Sequence, residues 1–397
     1  ASKASVRFIF ATIFLDVLGI GLIIPILPDV IRRFGHSEAF VTEYFGYFVA
    51  VYALMQLLMS PMLGVLSDRY GRRPILLVSL LGAGLDYILM AFAPTLTLLF
   101  IGRIISGLTG ANMTVATSYI ADVSNDSNRA AHFGMIGAAF GLGFIFGPIM
   151  GGFLGEQGVH LPFLAAAALN LLNFAFGLFV LPESLPPELR RPIELRRLNP
   201  LIALMHAFSR PGILFLVWAH FFFQISGQVY PSVWTLFVQH KFNWSVLEIG
   251  VSLSVVGVSA AIIQGGLTRV IVPRLGERLT ALWGLSAQCL AMFAFAFIPV
   301  GWMLYPVIVI SCLSGLAGPS LQAMITQKVP LNEQGELQGS LVSITSFAAI
   351  LSPLLYTQAL DKGIQYMNFP GLPFIMATGL ALMCLGLLAR RTSESSR

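Results

Sequence analysis

Gly64-Val-Leu-Ser-Asp-Arg-Tyr-Gly-Arg-Arg-Pro74 packs four charges into eleven residues between two long apolar runs. The runs are about Tyr44–Leu66 and Pro74–Ala93. Each approaches or exceeds the roughly 20 apolar residues that a helix needs to cross a bilayer. The string between them therefore reads as the polar turn of a membrane-spanning helical hairpin. Gly64 allows close helix approach, and Gly71 allows a tight turn. Pro74 suits a first helical position. Asp68 can cap the next helix or pair with Arg72, and Arg69 adds to the charge. Asp122, at the same end of a later span, can join this cluster.

Outward from this hairpin the pattern repeats along the chain. Before the middle, spans are predicted at about Val6–Leu27, Tyr44–Leu66, Pro74–Ala93, Leu98–Ala121, Ala131–Leu154 and Pro162–Leu181. After it they fall at about Gly212–Val238, Val246–Val272, Leu279–Pro299, Trp302–Gln327, Leu337–Leu360 and Pro373–Ala389. The expected fold is all-α and polytopic, with twelve transmembrane helices in two six-helix bundles. The expected domains are 1–185, a basic linker at 186–210, and 211–397.

Composition agrees with this reading. Of 397 residues, 56% are hydrophobic and 10% charged, against about 25% charged in an average soluble protein. This excludes a soluble enzyme, a disordered chain and a nucleic-acid binder. The net charge of +5 has a topological cause. Of the 23 Lys and Arg, 18 fall on one side of the predicted membrane. Four (Arg32, Arg33, Lys241, Lys362) fall on the other, and Arg103 lies inside a span. The positive-inside rule then places both termini and the linker in the cytoplasm. The linker reads as a solvated loop, with contact to anionic lipid as the other reading. Residues Ala1 to Arg7 lead straight into an apolar run that continues past Pro25. A retained first span, without a cleavable signal, fits an inner-membrane protein. Cys289, Cys312 and Cys384 lie in apolar runs without paired spacing and read as packing residues.

The halves look alike. Ser106-Gly-Leu-Thr-Gly110 in the fourth span returns as Ser314-Gly-Leu-Ala-Gly318 in the tenth, 208 residues later. A decayed copy of the hairpin string, Gly266-Leu-Thr-Arg-Val-Ile-Val-Pro-Arg-Leu-Gly276, lies between spans eight and nine and lacks the Asp. Parallel repeats of six spans describe a secondary transporter with its substrate site at mid-membrane.

Three intramembrane charges stand out: Asp16 in span one, Asp86 in span three and Arg103 in span four. A charge at the bilayer centre costs about 2.5–3.5 kcal/mol on insertion scales, so such groups face a wet cavity or one another. One structural Asp–Arg pair is the plainer reading. Proton and substrate handling is the other, and the arrangement favours it. Among the polar residues within spans, Gln56, Asn112, Gln228, Gln288 and Gln322 are candidates to line a substrate cavity, with Trp234 as an aromatic member. His220, beside Phe221 to Phe223, reads as a packed or interfacial residue. In span five, Gly143, Gly147 and Gly151 share one helix face beside Gly152, and Pro148 removes an internal hydrogen bond and bends the helix.

These motifs carry a family resemblance. The Gly64–Pro74 string resembles the loop signature of the major facilitator superfamily. There the resemblance implies a latch, on the cytoplasmic side, between the two halves. The span-five Gly-Pro-x-x-Gly-Gly resembles the antiporter motif of that superfamily's drug exporters. Over nearly the whole chain the sequence resembles the twelve-helix drug:proton antiporters of the tetracycline-efflux type. Strings that match include Leu15-Asp-Val-Leu-Gly-Ile-Gly-Leu22, Tyr52-Ala-Leu-Met-Gln56, Leu85-Asp-Tyr87 and Gly102-Arg-Ile-Ile-Ser-Gly-Leu-Thr-Gly-Ala111. The resemblance implies transport roles for Asp16, Asp86 and Arg103, with Gln56 in a cavity string. It departs at two places. Gln288 stands where those exporters carry an Asp in span nine, and Ala260 where they carry a His in span eight.

The function implied is proton-coupled export of small amphipathic drugs, tetracycline-like, by alternating access. The alternative is a major facilitator transporter of other drugs or of an endogenous metabolite. A monomer is expected, with a small-molecule substrate, protons and lipid as partners. No cofactor, no metal and no nucleic acid are expected. A membrane enzyme is disfavoured, because no nucleophile–base pair, metal-ligand cluster or phosphate loop is found.

Overall fold

The computed structural model describes residues 3–110, 112–124, 129–190, 205, 208–209, 212–328 and 334–390. Most of the 186–210 linker therefore lies outside the described residues. Every regular element among the described residues is helical.

The first half contains α1 (Lys3–Ile23), α2 (Leu27–Arg32), α3 (Glu38–Tyr70), α4 (Arg72–Ala91), α5 (Leu96–Thr109), α6 (Asn112–Val123), α7 (Arg129–Gln157) and α8 (Leu161–Val180). The second contains α9 (Leu214–Gly227), α10 (Val229–Phe242), α11 (Val246–Ile262), α12 (Thr268–Phe297), α13 (Leu304–Cys312), α14 (Ala317–Thr326), α15 (Gln334–Met367) and α16 (Leu372–Arg390). Ten helical stretches among the described residues are long and apolar enough to cross a membrane. The α9–α10 pair and α11 occupy the places of expected spans seven and eight. Large apolar side chains cover the outside, among them Phe179 at 88% exposed and Trp283 at 67%. Such a surface suits lipid rather than water.

Local sequence explains where helices stop. Thr95 caps α5, its Oγ1 accepting from the Leu98 N–H at 3.2 Å. Asn243 ends α10 in the left-handed region at φ 53°. The repeated glycine strings fall at helix ends. At the first, α5 ends on Thr109 with Gly110 as its C-cap. At the second, a 3₁₀ turn, Leu313–Leu316, separates α13 from α14. The hairpin strings repeat in backbone conformation as well. Gly71 has φ 105°, ψ 158°, and Gly276, where α12 breaks into two helical pieces, has φ 75°, ψ 164°. Residues with a Cβ rarely adopt either conformation.

Contacts gather the chain into two compact units. The first comprises Ala1–Ser37, Val51–Pro200 and Ser245–Ser254. Its core includes Phe8, Ile9, Ile13, Leu76, Leu80 and Tyr119. The span-five glycines serve α1 here. A Cβ on Gly143 would lie 2.8 Å from the Phe14 carbonyl oxygen, and one on Gly147 would lie 2.8 Å from that of Leu18. Gly151 meets the Leu22 backbone in the same way. The two helices thus meet every fourth residue, with backbone against backbone. Asn173 Nδ2 donates to Thr12 Oγ1 at 3.0 Å and ties α8 to α1. A neighbouring face of α7 carries the start of α11: Gly152 packs on Val246 and Leu247, and Ser254 Oγ donates to the Ile145 carbonyl.

The second unit comprises Glu38–Ala50, Leu201–Trp244 and Val255–Arg397. Its core includes Leu216, Val217, Leu285, Leu321, Ile344 and Leu388. Trp234 sits among Tyr230, Phe295 and Phe374. The start of α3 packs on α15, where Gly46 faces Thr357 and the Pro353 carbonyl. Each unit therefore takes one helix end from the other half of the chain.

Candidate functional site

Asp86 lies on α4 and is 3% exposed. Ser106 on α5 donates its hydroxyl to Asp86 Oδ2. The other oxygen, Oδ1, is buried without a hydrogen-bond partner among the described residues. Gly102, one helical turn before Ser106, leaves room for it: a Cβ there would lie 3.0 Å from Oδ1. Next to Gly102, Arg103 holds its guanidinium carbon 4.0 Å from the centre of the Tyr52 ring. That cation–π contact brings the positive charge to α3. Gln56, one turn along α3, donates Nε2 to Tyr52 Oη at 2.9 Å and to the Gly110 carbonyl at 3.3 Å. Asp16, half-buried on α1, lies within electrostatic reach of Tyr52 and Tyr87. The structure thus gathers Asp16, Gln56, Asp86 and Arg103 into one polar region of the first unit. Tyr52 and Ser106 also belong to this region; both stand in motif strings, and nothing in the sequence alone gives either a role.

A second cluster forms at the Gly64–Pro74 hairpin. Arg72 is buried and multiply bound. It pairs with Asp68 at 2.7 Å and with Asp122 at 3.1 Å. It also donates to Ser67 Oγ at 2.5 Å, and Ser67 in turn donates to the Gly64 carbonyl at 2.8 Å. Arg69 is exposed. The unexpected member is Glu183, just after α8. Its Oε1 accepts the Arg72 backbone N–H at 2.8 Å, and its Oε2 accepts that of Arg73 at 3.3 Å. A carboxylate at the N-terminus of α4 satisfies unpaired N–H groups and meets the positive end of the helix dipole. Ser184 Oγ donates to Asp122 Oδ2 at 2.9 Å and closes the ring. Gly71 is required twice over: its φ is 105°, and a Cβ would run into the Glu183 carboxylate. Only the short Pro182-Glu-Ser signal after span six hints at this in the sequence.

The remaining candidates are spread more widely. Gln228 is half-buried at the break between α9 and α10. Gln322 is exposed on α14. The Asn112 side chain lies outside the described residues. Trp234 and Gln288 are each 1% exposed, so neither faces an open cavity in this conformation. Aromatic neighbours surround Trp234. Gln288 Nε2 donates to Ser226 Oγ at 2.8 Å, and Ser226 donates to the Ala377 carbonyl at 2.8 Å. His220 is buried, and its Nε2 faces Gln224 Nε2 at 3.5 Å. No group of three or more metal-ligating side chains is found among the described residues.

Long apolar helices with an internal repeat and charges held within them define a multi-pass membrane transporter, not an enzyme. The chain belongs to the Major Facilitator Superfamily, whose sequence pattern matches residues 9–353. It is 42% identical over 389 residues to the tetracycline resistance protein, class C, of Escherichia coli, covering 98% of this chain and 97% of that one. It is 30% identical to multidrug resistance protein 2 of Bacillus subtilis (strain 168), covering 96% and 93%. Its fold is similar to the crystal structure of the nucleoside transporter NupG, with a TM-score of 0.77 at 13% identity, covering 98% and 99%.

Proposed function

We propose that this protein exports small amphipathic drugs, tetracycline-like in kind, in exchange for protons. It sits in a bacterial inner membrane with both termini in the cytoplasm and works as a monomer in contact with lipid. The observation that carries this reading is the Asp86 carboxyl, buried in a span with Oδ1 lacking a hydrogen-bond partner among the described residues. Full-length likeness to tetracycline resistance proteins supports the substrate class. Asp86 takes the proton, Arg103 and Asp16 set the local charge, and Gln56 contacts substrate. Asn112, Gln228 and Gln322 complete the substrate contacts. Trp234 and Gln288 join them only if their packing opens during the cycle. The two six-helix bundles, 1–185 and 211–397, are the moving bodies, joined by the 186–210 linker. The Asp68–Arg72–Asp122 cluster acts as the cytoplasmic latch, with Gly64, Arg69 and Gly71 shaping its turn. The span-five glycines and Pro148 form the seam on which α1 and α11 meet α7.

The driving force suffices. A 100 mV potential supplies about 2.3 kcal/mol per charge, and one pH unit supplies about 1.4 kcal/mol. One proton per cycle then supports roughly a 500-fold gradient of a neutral substrate.

A second reading follows from Gln288. A Gln cannot carry a proton, so coupling rests on the first half, and the preferred drug then differs from tetracycline or is an endogenous metabolite. Purified protein in proteoliposomes under an imposed pH gradient decides between them. Tetracycline and a panel of lipophilic cations are added, and lumenal pH is followed. Tetracycline-driven proton flow that disappears in Asp86→Asn, with unchanged melting behaviour, is the expected result. Proton flow with other compounds only would move the substrate assignment. Full coupled export by Asp86→Asn would remove the role given to Asp86.

A further inference from the structure

We infer that Ser106 is a positioning residue for the proton step: its hydroxyl fixes Asp86 Oδ2 and thereby leaves Oδ1 as the oxygen that takes up and releases the proton. This rests on the reading of Asp86 as the proton carrier.

A buried helical Ser or Thr ordinarily turns its hydroxyl back onto a carbonyl of its own helix. Thr109, on the same helix, does so, donating to the Ile105 carbonyl at 2.9 Å. Ser320 and Thr378 do the same in the second unit. Ser106 instead donates across to α4, onto Asp86 Oδ2. Its second neighbour is the thioether of Met90, at 4.0 Å, a poor acceptor. The geometry on the other side of the carboxyl is equally specific. Gly102 and Ser106 are four apart, so they share a face of α5. Gly102 clears space beside Oδ1 where any side chain would press on it. Ser106 on this face holds one carboxyl oxygen, while Gly102 lets α5 pack against the other, which stays buried without a hydrogen-bond partner among the described residues.

A donated hydrogen bond favours the ionised carboxylate over the protonated form. Ser106 thus eases proton release as well as fixing which oxygen is used. Arg103, also on α5, is the charged group that acts on this carboxyl, and loss of the Ser106 hydroxyl removes the bias without touching either charge. The effect belongs on the pH axis of transport and not on drug affinity.

The test compares wild type, Ser106→Ala, Ser106→Thr, Ser106→Cys and Asp86→Asn in proteoliposomes. Drug-driven proton exchange is measured from pH 5 to 9 with whichever compound of the panel drives it in wild type. In Ser106→Ala the pH of half-maximal exchange should rise by about one unit, with KM changed by less than roughly twofold. Ser106→Thr keeps a hydroxyl and should restore the wild-type profile. Ser106→Cys, a weaker donor, should fall between, and it carries the test if the Ala variant does not fold. Asp86→Asn should show no coupled exchange. If Asp86→Asn is inactive while the Ala and Cys profiles match wild type, the positioning role is overturned and the proton-carrier reading stands. If Ser106→Thr behaves as Ser106→Ala does, the effect is one of packing, and the inference fails. If Asp86→Asn exchanges protons as wild type does, the carrier reading falls, and the inference falls with it.

Discussion

At the residue scale, individual side chains owe their importance to what stands opposite them. Glu183 matters because two backbone N–H groups at the start of α4 point at it. Glu183→Ala should lower stability by about 1 kcal/mol, the usual cost of losing a helix cap. The check is the melting midpoint in detergent, which should fall by a few degrees, beside a drug Kd that stays unchanged. A weaker Kd with an unchanged midpoint would place Glu183 in substrate binding instead. Asp86 and Arg103 were legible as functional candidates from sequence, because a charge inside an apolar run is costly unless it is used. The hydroxyl of Ser106 was not legible in that role. It lies 20 residues from Asp86, and a Ser within a glycine-rich string ordinarily reads as helix packing.

At the element scale, the seam between α1 and α7 decides how tightly the first unit closes. Gly143, Gly147 and Gly151 bring the backbones so close that no larger side chain fits. Gly147→Val should therefore destabilise by about 1–3 kcal/mol through overpacking. Fluorescence-detected gel filtration after graded heating reads this directly. A variant that melts with wild type would mean that the seam opens without cost. The four-residue spacing was visible in sequence, since residues four apart share a helix face. The identity of the partner helix was not. Nothing local to α7 says whether α1 or another helix accepts that face, and contact with the Phe14, Leu18 and Leu22 backbone emerges only on packing. Likewise, the string at Gly266–Gly276 looked like a decayed hairpin, yet Gly276 keeps the positive-φ turn of Gly71. The acid can vary while the turn requires glycine.

At the scale of the whole molecule, the proposed topology rests on charge. Of the 23 Lys and Arg, 18 lie on one side of the predicted membrane, and that side is proposed to face the cytoplasm. In a cysteine-free background, Lys362→Cys should react with an impermeant maleimide added to intact cells. Arg69→Cys, in the exposed turn, should react only after the membrane is opened. The reverse pattern would invert the assigned topology. The sequence by itself settled the membrane class and the rough limits of most helices, and it carries the repeated strings. Each of these depends on hydrophobic run length, charge placement or glycine spacing, which are properties of neighbours along the chain. Only the tertiary structure decided that Trp234 and Gln288 lie buried in packed surroundings, that Glu183 closes the Arg72 cluster, and that Ser106 turns to Asp86. Those outcomes depend on which helix faces which, and helix pairing is set by the fit of whole surfaces and by the demand that buried polar groups find partners.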